Sequence, residues 1–193
     1  MISANPLQNI IKQSLMADTK TIKKAFERNV KLLNLKPEKG QYTTSTKIRL
    51  TNGTACEVEH KHWKFTADVG KQQGGNDEGP GPGIFYRASL GSCLAIGYAI
   101  WAARMDIRIE HLEVDVEADV DARGNFGIDN TEPGYTGMRY TVTIESPASE
   151  DDIHEMIKKA DDHSPILANF RKPMKIKRDL NIVKSERAAP TKG

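Results

Sequence analysis

Gly74-Gly75-Asn76-Asp77-Glu78-Gly79-Pro80-Gly81-Pro82-Gly83 runs directly into Ile84-Phe85-Tyr86-Arg87-Ala88-Ser89-Leu90-Gly91-Ser92-Cys93-Leu94-Ala95, and the order of these two stretches decides the fold. The first is too rich in glycine and proline for the interior of a helix or strand, so it reads as a flexible loop that feeds a helix. It lacks the lysine of G-x-x-x-x-G-K-[ST] and the spacing of G-x-G-x-x-G, so no phosphate cradle is expected. The second continues apolar to Ala103 and carries one thiol. Its length would suit a bilayer span, but Arg87, Ser89, Gly91 and Ser92 interrupt it, and the expectation is a buried core helix.

Upstream, Ile22, Phe26, Val30 and Leu33 recur at helical spacing with lysines on the other face, which predicts an amphipathic helix. Leu7, Ile10, Ile11 and Leu15 predict a shorter helix before it, with a break and cap near Asp18-Thr19. From Gln41 the pattern turns to β-type. Tyr42 to Leu50 reads as a strand, Asn52-Gly53 as a hairpin turn, and Ala55 to Phe65 as the return strand, continuing towards Val69. Cys56, Val58, His60 and His62 would then share a face. Two histidines at that spacing have no third ligand at a recognisable interval, so no metal site is expected.

Downstream, Ile107 to Val120 alternates apolar residues with Glu113, Asp115, Glu117 and Asp119, which predicts a half-buried strand with an acidic outer face. Met138 to Ser146 reads as a second strand. A helix opens near Ser149 with acidic residues in its first turn and a core face of Ile153, Met156, Ile157 and Ala160. Ser164-Pro165 restarts the chain, and Met174 to Val183 reads as a final strand before a polar tail.

The 193 residues suit one soluble core, and a formal net charge of +2 gives no footprint for nucleic acid. Cys56 and Cys93 are too few for a disulfide scaffold and lie outside C-x-x-C spacing. The N-terminus lacks the zones of a secretory signal, so a reducing cytoplasm is expected, with neither nucleic acid nor membrane as partner.

The glycine stretch, the Ala88-Ser89-Leu90-Gly91-Ser92-Cys93 run and the later His163-Ser164-Pro165-Ile166-Leu167 together resemble the OsmC/Ohr family of thiol-dependent hydroperoxide reductases and their relatives, over roughly residues 41–183. The resemblance implies an α+β fold in which antiparallel sheets wrap central helices in an intertwined homodimer. Residues 1–40 would form a helical extension outside it, and residues 41–193 the domain proper. Cys93 matches the thiol that attacks a peroxide and becomes a sulfenic acid. Ser164 stands where those members carry the resolving cysteine, so a disulfide cannot form there and a cycle would use an external thiol reductant, Cys56 or another chemistry. Their activating glutamate falls on Gly83, and no arginine lies at the hairpin turn. Arg49, on the strand before it, is the substitute by location. Arg87 lies about 120° around the helix from Cys93 at 100° per residue, whereas Tyr86 and Ser89 share its face better. Ser164, His163, Tyr86 and Ser89 are therefore the pocket candidates, with Arg49, His163, His60 and His62 as alternative cations. Two functions stand: a one-cysteine hydroperoxide reductase of oxidative-stress defence, or a non-peroxidatic relative binding a small apolar or electrophilic ligand in the dimer-interface pocket. Neither requires a cofactor or metal.

Overall fold

The cysteine-bearing helix, α2 (Pro82–Arg104), begins where the sequence places it, because Gly81 is extended and Pro82 supplies a first helical residue that needs no N–H partner. It ends at Met105, where Asp106 turns left-handed and the Ile107 N–H reaches back to the Ala102 carbonyl at 2.9 Å. The structure is a computed structural model. It describes residues 6–184, and side chains from residue 19 onward.

Leu90, Leu94, Tyr98 and Ala102 recur every four residues along α2 and form the buried stripe of the core. Against them lie β4 (His111–Val120) and β5 (Tyr135–Glu145), an antiparallel pair in which Val114 faces Val142 and Val116 faces Tyr140. The alternation predicted for β4 holds, with its acidic residues outward and Arg139 bridging Glu117 at 3.0 Å and Asp119 at 2.9 Å. Gly91 lets helix and sheet approach closely, since a Cβ there would sit 3.1 Å from a methyl of Val116. After the short α3 (Ala122–Asn125), the core is closed by α4 (Glu150–Asp162), capped by Ser149 and inserting Met156 and Ala160 as expected. Next comes α5 (Pro165–Arg171), capped by Ser164.

Four expectations are corrected. The N-terminal region is one helix, α1 (Pro6–Leu35), without a break at Asp18-Thr19. Leu15 and Ile22 stand seven residues, about two turns, apart, so both apolar sets lie in phase on one stripe. The predicted return strand is two strands. After β1 (Lys47–Asn52), β2 (Ala55–His60) pairs on its other side with β3 (Trp63–Ala67), and Lys61 turns left-handed between them. His60 and His62 therefore do not share a strand face: the His60 Nδ1–H donates to the Ser45 carbonyl at 2.7 Å, and His62 packs on Trp63. Residues 174–183 form no strand within the described chain and lie exposed, because no edge of this chain is paired with them.

The fourth concerns the glycine loop, which is pinned rather than free. Asp68, 2 % exposed, accepts hydrogen bonds from the Thr54 hydroxyl (2.6 Å) and the N–H groups of Val69, Asn76 and Glu78 (2.8, 2.9 and 3.2 Å). The Thr54 hydroxyl, followed by those N–H groups, holds the carboxyl down at about 2. The glycines permit this contact. A Cβ on Gly75 would lie 2.0 Å from the Val69 carbonyl oxygen, and one on Gly79 2.3 Å from that of Thr66. The loop thus acts as a fixed lead-in to α2.

Candidate functional site

Cys93 lies half-buried on α2, and its Sγ stands 3.4 Å from the Ser164 Oγ, 71 residues further along the chain. The resemblance implied a neighbouring position for the thiol and the Ser-Pro step. Ser164 is 5 % exposed, and its oxygen accepts the Leu167 N–H at 3.3 Å as the N-cap of α5. One lone pair of the hydroxyl is engaged by the helix end, and in the contact with the sulfur either the hydroxyl or the thiol can donate. The same short Ser-Pro step therefore terminates one helix, starts the next and positions an O–H beside the thiol.

The other candidates separate. Ser89 donates to the Tyr86 carbonyl at 2.7 Å within α2. His163 bonds the Lys159 carbonyl at 2.7 Å, and its ring packs on Trp101, which with Phe26 forms a corner holding the Arg104 guanidinium 4.1 Å from each ring. Arg49 donates to Glu57 at 2.7 Å and Glu59 at 2.8 Å on the exposed face of the β1–β2 hairpin, and these bonds, Glu59 foremost, raise its pKa. Within the protomer its hydrogen bonds go to these carboxylates and not to Cys93.

Tyr86 leads to residues that sequence reasoning missed. Its ring meets Tyr135 at 5.4 Å and Phe170 at 4.5 Å. The Tyr135 hydroxyl donates to the Gly83 carbonyl (3.3 Å) and accepts from Arg87 (3.0 Å). A Cβ on Gly83 would stand 2.7 Å from that hydroxyl, so Tyr135 occupies the space beside the helix start where a side chain would emerge. Deeper, Tyr98 and Tyr140 donate to the two oxygens of Asp161 at 2.8 and 3.2 Å. Burial, then the neighbouring carboxylate, pushes both phenol pKa values up. Nothing in local sequence pairs Arg87 with Tyr135 or Tyr98 with Asp161. The only sequence signal was negative, the angular offset that kept Arg87 from the thiol. Leu90, one turn before Cys93, and Leu167, one turn into the helix after Ser164, both line a cavity of about 740 Å³.

A family model described as OsmC-like protein matches residues 74–178, from the glycine loop through α5. The chain belongs to the OsmC-like family. No curated protein matches it. Among solved structures, this OsmC-like chain is similar to an OsmC-like protein from Mycoplasma pneumoniae, at TM-score 0.59 and 18% identity over 68% of this chain and 89% of that one. It is also similar to an OsmC-like protein of unknown function from Vibrio cholerae, at TM-score 0.52 and 13% identity over 66% and 93% of the two chains. An organic hydroperoxide resistance protein from Legionella pneumophila gives TM-score 0.51 and 17% identity over 68% and 92%. These likenesses establish the OsmC-like α+β fold. Cys93 and Ser164 both lie inside the matched family segment, whereas Arg49 and Cys56 lie before it.

Proposed function

We propose that this OsmC-like protein is a thiol-dependent hydroperoxide reductase that uses one protein cysteine and an external thiol. The observation that carries the reading is the Cys93–Ser164 pair, a half-buried sulfur with a hydroxyl 3.4 Å away inside the family segment. In the first step the Cys93 thiolate attacks the terminal oxygen of a hydroperoxide. An S–O bond forms, the O–O bond breaks, and the leaving alkoxide takes a proton to depart as an alcohol. Ser164 can donate to the thiolate and then to the sulfenate oxygen, holding the oxidised sulfur without forming a disulfide. A small external thiol then displaces water from the sulfenic acid to give a mixed disulfide. A second equivalent cleaves it, regenerating the Cys93 thiol and releasing the oxidised reductant.

The working unit in this proposal is a homodimer. Ile48 and Leu50 on β1, Ile84 and Ile96 on α2, and Ile176 and Ile182 in the C-terminal segment are exposed in the protomer. Residues 174–183 alternate like a strand yet pair with none of the described chain, and β1 has an unpaired edge. A second copy would cover these faces and extend the sheets. It would also enclose the hairpin carrying Arg49, the proposed cation for the thiolate once released from Glu57 and Glu59.

The test is consumption of cumene hydroperoxide by the purified chain with excess dithiothreitol, alongside dimedone trapping of Cys93. Turnover should require Cys93, and the trapped adduct should map to it. Consumption equal to that of Cys93→Ser, with no adduct on Cys93, would overturn the reading.

A further inference from the structure

The cavity beside α5 carries a chemistry separate from the thiol. Its walls include Tyr86, Tyr135, Tyr140 and Phe170, together with Leu90 and Leu167. Three of the chain's five tyrosines thus converge on one space of about 740 Å³, a size that suits a small organic ligand. The phenol oxygens of the deeper two are already used. Tyr140 donates to Asp161, and Tyr135 bonds both the Gly83 carbonyl and Arg87. What the walls present is therefore ring and aliphatic surface, with Tyr86 47 % exposed and tilted 39° to Phe170. An aromatic body can stack offset or edge-on against such rings and gain more than its area alone provides.

Charge decides what the ligand carries. Arg171 lines the same cavity and makes no hydrogen bond or ion pair among the described residues. It interacts electrostatically with Tyr140 and Asp162, and Asp162 is held by Lys158 at 2.7 Å. Behind Tyr135 stands a second guanidinium, Arg87, whose hydrogen bond goes to that neutral phenol. No carboxylate lines the cavity. Aromatic walls also attract quaternary ammonium ions, but two guanidinium groups oppose a cation, and a planar fork favours a carboxylate. The geometry points to a binding site for a planar aromatic carboxylate, its ring system among Tyr86, Tyr135 and Phe170 and its carboxylate on Arg171. The site works by binding alone, so it stands independently of whether Cys93 reduces peroxides.

The experiment is isothermal titration of the full chain carrying Cys93→Ser with 2-naphthoate, 2-naphthalenemethanol, decanoate and phenyltrimethylammonium, in parallel with the same chain carrying Arg171→Gln as well. The expected result is that 2-naphthoate binds at least tenfold more tightly than the other three, and that Arg171→Gln removes most of that preference. Because Arg171 is exposed at the end of α5, the substitution leaves the core intact, and circular dichroism checks it. Equal binding of the alcohol, tighter binding of decanoate or of the ammonium ion, an unchanged naphthoate affinity in Arg171→Gln, or no naphthoate binding at millimolar concentration would each overturn the inference.

Discussion

Replacing Ser164 by cysteine would put a second thiol where the structure holds a hydroxyl 3.4 Å from the Cys93 sulfur. A disulfide bond is about 2.05 Å long, so closing the gap asks for about 1.4 Å of side-chain movement. The bond would close a loop of 71 residues. The chain-entropy relation then sets a ceiling of about 4.4 kcal/mol on the stabilisation at 25 °C. Ser164 also caps α5 through the Leu167 N–H, and losing that bond costs about 1 kcal/mol. Comparing the oxidised with the reduced form of the same Ser164→Cys variant removes the capping loss from the result. At about 2–4 °C per kcal/mol for a chain of this size, oxidation should raise the melting midpoint by up to roughly 9–18 °C. The assay is diamide oxidation followed by thiol titration, a non-reducing peptide map and thermal melts by circular dichroism. Two of the variant's three thiols should disappear together, since the wild type has two. A map without a link between Cys93 and the introduced cysteine, or an unchanged midpoint, would refute the placement of these side chains.

Asp68 has its pKa lowered to about 2, chiefly by the Thr54 hydroxyl, against an unfolded value near 3.9. A depressed carboxyl contributes stability above its unfolded pKa and loses it as pH falls through the folded one. The wild-type midpoint should therefore fall between about pH 4 and pH 2, and Asp68→Asn should be less stable at pH 7 with a flatter acid limb; parallel limbs in melts across that window would count against the loop anchor. Gly75→Ala should destabilise by about 1–3 kcal/mol through its clash with the Val69 carbonyl. Gly70→Ala meets nothing within 4 Å and should do so much less, as urea titration would show. Tyr98→Phe leaves an oxygen of the half-buried Asp161 carboxylate without its donor and should cost about 1–3 kcal/mol in the same titration; a change within error would mean water replaces the phenol.

Much of the scaffold is readable without coordinates. The periodicity of Leu90, Leu94, Tyr98 and Ala102, the alternation of β4 and the Ser149 start of α4 all express local preferences that tertiary packing reinforces. Errors arose where a pattern continues through an expected boundary or where pairing needs a partner. α1 runs on because its apolar stripe stays in phase. Residues 174–183 remain unpaired because a strand is defined by a neighbour, and none of the described strands pairs with them.

The sequence by itself determined the candidate residues: a thiol in an apolar helix, a Ser-Pro step in place of a second thiol, and a glycine loop that leads into the helix. Only the tertiary structure decided their company. It tied the loop to Asp68, set Ser164 against Cys93, turned Arg49 to Glu57 and Glu59, and gathered Tyr86, Tyr135 and Phe170 beside Arg171. Local patterns record the torsional and burial preferences of neighbouring residues. Contacts such as that across 71 positions arise when helices and sheets pack, and no local pattern contains them.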